Sequence, residues 1–272
     1  MLFLGSGLNR GITNEKGKGL PSEQELQASL VARFLEKGFV GTSLAQVVDL
    51  AIYKSGLFAV QSHIADLLSG YQPAKSHERL SALTWTAIFT TNIDRVIEKI
   101  YANAVNPIQN LIVFTKGNER IDSAINSKSD LPCFNLYGSI NHINDPGTPL
   151  ILSHEQLPLN LGSRSLMFDR LETYAYDHSV IFVLGDAGSP GSRSILQRMA
   201  RFLDARPRSY LLVDSMSETE QAYWNSRKFD CIIGSFEDFI DTVNREIPQH
   251  TRALSLLIEG LLSHESLPNS AI

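Results

Sequence analysis

Three short stretches carry residue types that chemistry could use. TTNID, residues 90–94, sets Thr90, Thr91, Asn92 and Asp94 within five positions. An amide can donate and accept at once, so Asn92 has the means to hold a water and a sugar hydroxyl together. The plain alternative is a helix start, with Asn92 or Thr91 as N-cap and Asp94 favoured by the dipole in the first turn. LPCFNLYGSINH, residues 131–142, reads as a buried strand carrying Phe134 and Leu136 that runs into a small-residue turn at Gly138 and Ser139, with Tyr137 between them. GSGLNRG, residues 5–11, has Gly5, Gly7 and Gly11. That spacing is one residue off the dinucleotide fingerprint G-x-G-x-x-G. Glycines after a strand let the backbone approach a phosphate, and a tight turn would use them equally well.

Other chemistries fail on spacing. GITNEKGKG misses the P-loop: five residues separate its glycines where four are needed, and Gly19 stands where a Ser or Thr would hold magnesium. There is no HExxH, since SHEQL lacks the second histidine, and no GxSxG elbow. The seven histidines are scattered, without metal-ligand spacing. Cys133 and Cys231 sit in apolar surroundings, LPCF and FDCII, and read as buried small hydrophobes. With no CxxC pair the chain cannot build a zinc ribbon.

The elements that must position these groups alternate between short apolar runs and helical patterns. Leu2–Leu4, TAIFTTN (86–92), SVIFVLG (179–185), SYLLVD (209–214) and FDCIIG (229–234) read as strands. IDRVIEKIYANAV repeats its apolar residues at helical spacing straight after the second strand. A helix near 193–205 and the amphipathic FEDFIDTVNREI follow later strands. Strands without polar alternation are buried on both faces, and helices between them supply the crossovers. The expectation is an α/β chain with one doubly wound, Rossmann-like parallel sheet. Residues 22–80 read as a helical insertion between the first two strands, opened by a capping box at Ser22 and Glu25. The predicted organisation is one domain over 1–247, then an extension over 248–272 with a helix at 251–262 and a polar tail. The first motif begins almost at once, so the chain is expected to be a fragment of something longer.

Of the 272 residues, 43% are apolar, which permits a sizeable core. The net charge of −5 argues against direct nucleic-acid binding as the main task. No apolar run reaches the roughly 18 residues of a membrane span, and the apolar start is too short for a signal peptide. No membrane partner and a cytoplasmic location are the expectation.

Taken together, GSGLNRG…GLPS, IFTTNIDRVIEKIY, NLYGSINH, LILSHEQL and VIFVLGDAGSPGSRSIL resemble SIR2-like (sirtuin-related) domains in order and rough spacing. They look most like the bacterial NAD-consuming branch of antiphage defence systems. That family has a G-x-G phosphate turn, a TTN-x-D motif, a K-L-H-G-S turn and a late strand ending in glycine. The resemblance covers roughly residues 2–245 and implies NAD as substrate, with no metal. It implies that Gly5, Ser6, Gly7, Asn9 and Arg10 hold the pyrophosphate and nearby ribose. Asn92, with Thr91 beside it, would face the nicotinamide ribose and place the attacking water. Asp94 would fix the local turn and contact the nicotinamide side. Gly138 and Ser139 would form the turn after the catalytic residue, and Gly185 and Asp186 would sit against the adenosine half. The absent zinc ribbon departs from protein-deacylating sirtuins and favours the NAD-hydrolysing branch.

Tyr137 is the departure: the family has histidine there. A phenol titrates near 10 and an imidazole near 6.5, so tyrosine is a poor general base at neutral pH. Tyr137 is either a natural loss of the base or a substitution that traps bound NAD. His142, five residues on, is the other candidate base. Two functions follow: an NAD glycohydrolase acting as a defence effector, or a module of the same fold that binds NAD or ADP-ribose without cutting it. The resemblance also implies control, through a homo-oligomer, a partner chain or a further domain such as an ATPase, an Argonaute-like protein or a sensor repeat. The helical insertion and the C-terminal helix are the expected contact surfaces. Strand alternation predicts Tyr137 on the face opposite Phe134 and Leu136, pointing into the cleft beside Asn92.

Overall fold

The structure is a computed structural model that describes residues 1–36, 42–117, 121–145, 147, 149–152, 156–202 and 206–248. The helix expected at 251–262 and the polar tail lie outside the described residues, as does His154 of LILSHEQL.

Among the described residues seven strands form one sheet: β1 (Leu2–Leu4), β2 (Ile88–Thr90), β3 (Asn110–Phe114), β4 (Asp130–Asn135), β5 (Ile181–Gly185), β6 (Ser209–Val213) and β7 (Phe229–Ile233). Their order is β3-β4-β2-β1-β5-β6-β7, and every pairing is parallel. The chain therefore lays β2, β4 and β3 on one side of β1 and β5, β6 and β7 on the other. β1 is the switch point, and in open α/β sheets ligands bind outside the carboxyl ends of the strands at such a point.

The short strands owe their register to side chains of one kind. Phe3 stands opposite Phe89 and Phe182, Phe89 opposite Phe134, and Phe134 opposite Phe114. This gives a continuous ladder of rings across five strands. Phe89 and Phe134 stack at 4.6 Å, Phe114 and Phe134 at 5.3 Å, and Phe3 tilts on Phe182 at 5.3 Å. Each such pair adds roughly 0.5–1.5 kcal/mol beyond burial. A slip by one residue would break every pair at once, which fixes the register.

Helices cover both faces. Residues of α6 (Leu157–Asp177), α7 (Pro190–Met199) and α8 (Glu218–Asn225), including Phe168, Leu171, Leu196 and Trp224, pack on the phenylalanine face. Val96, Ile97 and Ile100 of α4 (Val96–Asn103) pack on the other face, with Phe236 and Ile240 of α9 (Phe236–Glu246). A four-residue helix, α5 (Ile121–Ala124), lies between β3 and β4.

Between β1 and β2 stand α1 (Glu23–Phe34), α2 (Leu44–Ser55) and α3 (Leu57–Leu68), followed by a 3-10 turn at His77–Ala82. The Ser22–Glu25 capping box opens α1, and a second, Ser43–Gln46, opens α2. The three helices build a core of their own from Leu30, Val47, Val48, Val60 and Ile64. Ile140 and Leu150 join this core from the segment after β4, so the helical layer rests on the loop that follows Tyr137. No described helix is long and apolar enough to cross a membrane.

Candidate active site

The carboxyl ends of β1, β2, β4 and β5 meet around a cleft of about 270 Å³. Gly5, Ser6 and Asn9 line it from the turn after β1, Thr91, Asn92 and Asp94 from the turn after β2, and Tyr137 from the turn after β4. Thr90 fastens the two central turns: its Oγ1 donates to Leu4 O at 2.7 Å and accepts the Asn92 N–H at 3.0 Å. Asn92 then reaches across. Its Nδ2 donates to Gly5 O and to Asn9 Oδ1, both at 3.1 Å.

This settles what Asn92 is doing locally. It caps no helix, because the side-chain bond at the start of α4 comes from Asp94, whose Oδ1 accepts the Val96 N–H at 2.9 Å. Both amide hydrogens of Asn92 are committed to the β1 turn. Oδ1 is left as the group it can offer a ligand, so the amide presents an acceptor alone, where the sequence suggested donor and acceptor together. Asp94 lines the cleft but is buried, and that burial pushes its carboxyl above the ordinary range despite the bond from Val96.

Tyr137 departs from strand alternation. β4 ends at Asn135, and Gly138 N–H closes a turn onto Asn135 O at 3.1 Å. The chain has stopped being a strand before it reaches Tyr137, so the period of two no longer applies. Tyr137 packs in the same apolar cluster as Phe134 and Leu136, not on the opposite, more polar side, while still lining the cleft. It is 9% exposed, and its hydroxyl is buried without a hydrogen-bond partner. Burial pushes the phenol up to about 12. At neutral pH it is a protonated donor in search of an acceptor, and no base. His142 is exposed, in a 3-10 turn at Ile140–His142, and does not line the cleft.

The two remaining glycine positions meet each other. A Cβ on Gly7 would stand 2.6 Å from the Gly185 amide nitrogen, and Gly185 itself has φ +70°. Main chain touches main chain here, so these glycines serve the contact between the β1 turn and the end of β5. Ser6 Oγ adds a bond to Leu184 O at 2.7 Å across the same seam. Gly7, Arg10, Gly138, Ser139, Gly185 and Asp186 do not line the cleft. Arg10 pairs with Asp214 at 3.6 Å, and both are well exposed. Asp186 accepts the Gly188 N–H at 2.7 Å in an exposed turn. Ser139 caps the 3-10 turn through Asn141 N–H at 3.3 Å. Gly138 has φ +89°.

Several residues that shape the cleft escape the motifs. Leu26 of α1 and Leu68 of α3 form an apolar wall. Gln61 of α3 is buried and holds the loop after Tyr137 from both ends, donating to Ile143 O at 2.8 Å and accepting the Leu150 N–H at 2.6 Å. A lone glutamine amid the apolar residues of LFAVQSHIADLL was the available signal. Ser189, Gly191 and Ser192 close the cleft from the start of α7. A Cβ on Gly191 would come within 3.9 Å of the Tyr137 hydroxyl. Among the described residues no group of three or more His, Cys, Asp and Glu is arranged to hold a metal.

Comparison with curated proteins gives no significant match. The protein-family model described as "SIR2-like domain" matches residues 86–232, more than half of the chain. The matched region contains Asn92, Asp94, Tyr137 and Gly185; the Gly5–Arg10 turn and the three-helix layer precede it. The chain that brings the β1, β2 and β4 turns together around this cleft thus belongs to the family of SIR2-like domains.

Proposed function

We propose that the chain binds NAD in this cleft and hydrolyses it to nicotinamide and ADP-ribose. SIR2-like domains bind NAD. The observation that carries the reading is Asn92, fixed through both amide hydrogens to the β1 turn. Nicotinamide leaves the ribose as a neutral ring from a cationic one, so no acid is needed to protonate it. The reaction needs an oriented sugar, a dry wall and a placed water. Asn92 Oδ1 supplies an acceptor that orients that water or a ribose hydroxyl. Leu26, Leu68 and Ile93 supply the apolar wall. A cleft of this size encloses one half of the dinucleotide, and the other half extends along the open rim. Among the described residues no histidine lines the cleft, so turnover is slow; a well-placed base would add roughly 10²–10⁴-fold.

A second reading keeps NAD or ADP-ribose bound without cutting it. The unpaired Tyr137 hydroxyl favours it, because a protonated phenol holds a ligand atom and removes no proton. By the sequence resemblance, we assign the hydrolysis to an effector of bacterial antiphage defence, working as a homo-oligomer or under a partner chain. Tyr53, 91% exposed at the end of α2, and Phe58, 59% exposed at the start of α3, support a protein contact on the helical layer.

The test is nicotinamide release by the purified chain, beside Asn92→Ala checked for folding by its melting midpoint. Wild-type release with loss in the variant is expected; unchanged release from a folded Asn92→Ala protein refutes the role of Asn92. Calorimetry should find NAD bound in preference to ATP–magnesium, and the reverse order sinks the NAD reading.

A further inference from the structure

Arg164 is fully buried in α6; among the described residues no carboxylate is in direct contact with it, and Asp145 acts on it only at longer range. An arginine in that position is costly, since taking a cation out of water costs several kcal/mol even after relaxation. Its guanidinium spends its hydrogens on main-chain carbonyls instead. Nη1 donates to Thr115 O at 2.9 Å and to Asn135 O at 3.1 Å, and Nη2 to Pro149 O at 3.1 Å. Nε has no partner. Burial draws the group down only to about 10, so it stays charged at neutral pH.

The three carbonyls belong to three segments at the carboxyl edge: the exit of β3, the last residue of β4, and the chain that returns past Tyr137. Asn135 precedes Tyr137 by two residues, and Pro149 precedes Ile151 by two. Between them Tyr137 O accepts the Ile151 N–H at 2.9 Å. Arg164 therefore grips the chain on both sides of the main-chain bond between Ile151 and Tyr137. It also packs directly on the turn: a Cβ on Gly138 would stand 3.0 Å from Nη2. A planar fork spreads its donors over two terminal nitrogens and so reaches acceptors on three separate segments, whereas the three donors of an ammonium radiate from one nitrogen. A mere space-filler at this depth would be better served by leucine or methionine.

We infer that Arg164 is a positioning residue that sets the Tyr137–Gly138 turn against Asn92 for the ligand. The inference rests on the NAD reading for its ligand, and on geometry alone for the turn. Arg164→Lys keeps the charge and loses the fork; Arg164→Met keeps the bulk and loses both. Hydrogen exchange on the full chain without ligand reads the turn directly. The Gly138 and Ile151 amides should exchange at least about tenfold faster in both variants, the size expected for losing bonds to a charged donor. Amides of β6 and β7 should stay within about threefold of wild type. Uniform acceleration across the sheet, or failure of both variants to fold, makes Arg164 an ordinary structural residue and overturns the inference. Calorimetry then adds NAD, and binding should weaken roughly tenfold in Arg164→Lys. A loosened turn with NAD affinity unchanged also overturns it. If the wild-type chain binds no NAD, the functional reading falls, while the exchange experiment still decides what Arg164 does to the turn.

Discussion

Removing a single oxygen at Tyr137 should make the ligand-free protein more stable and its complex weaker. The hydroxyl is buried with no partner, 9% of the residue being exposed. An unsatisfied buried polar group costs about 1–3 kcal/mol. Tyr137→Phe relieves that cost without changing the ring, and the void it leaves is one oxygen wide. Taking about 1 kcal/mol as the net gain, the melting midpoint should rise by about 2–4 °C for a domain of this size. If the hydroxyl is held unpaired for a ligand atom, the same change removes one hydrogen bond from the complex. About 1 kcal/mol there weakens NAD binding roughly fivefold. Scanning calorimetry without ligand and titration calorimetry with NAD measure the two signs separately. Nicotinamide release per bound enzyme should barely move, since a phenol pushed up to about 12 takes no proton at neutral pH. A Tyr137→Phe protein that melts below wild type shows that the hydroxyl has a partner, and the reasoning fails.

Tyr137→His should raise nicotinamide release, by up to the roughly 10²–10⁴-fold that a placed base supplies; no gain with NAD still bound moves the protein to the binding-module reading. Asp94→Asn should raise the melting midpoint at pH 7. Burial holds the Asp94 carboxyl above its ordinary value of 3.8 in the folded chain, so the folded state retains the proton that the unfolded state loses first. Stability therefore falls as pH climbs from that value through the folded one, and the destabilisation is complete above both. Asparagine never ionises and can still accept the Val96 N–H, so its advantage should fade as melts are repeated towards pH 4. An advantage that grows on acidification would contradict the sign.

The strands with strong apolar runs were legible because burial on both faces leaves no polar residue to confuse the period. The stretches 179–185, 209–214 and 229–234 became β5, β6 and β7 with edges trimmed by up to two residues. TAIFTTN shrank further, to the three residues of β2, because Thr91 N–H donates to Leu4 O and Asn92 turns away to reach Gly5 and Asn9. The helix expected from Ile93 starts only at Val96, after a turn in which Asp94 Oδ1 accepts the Val96 N–H. β3, α5, α6 and α8 were not anticipated; LIVF of β3 lies beside loops whose polarity hid it. TTNID and GSGLNRG revealed the cleft because each gathers polar residues or glycines into one short stretch at the end of a legible strand, although Asn92 reaches Gly5 only across 87 positions. Gln61, Arg164 and the start of α7 stayed hidden. Each works on a segment between 15 and 89 positions distant, and only the folded sheet edge shows which carbonyls need a donor.

The central place of β1 has a consequence for the order of assembly. Leu2 pairs with Ile88 on one side and with Ile181 on the other, and Ser6 bonds Leu184 across 178 positions. Pairings so remote in sequence close late, because the loop entropy must be met before the contact rewards it. The seam where Gly7 meets Gly185 therefore cannot form until β5 has been made and has docked beside β1. A ribosome-bound or truncated chain that ends before Ile181 can hold Asn92 and Tyr137 near each other, yet it has no wall on the β5 side of the cleft. Ligand retention by such nascent chains should switch on sharply once β5 is free of the exit tunnel. The proposed nicotinamide release would thus begin only once β5 has docked beside β1.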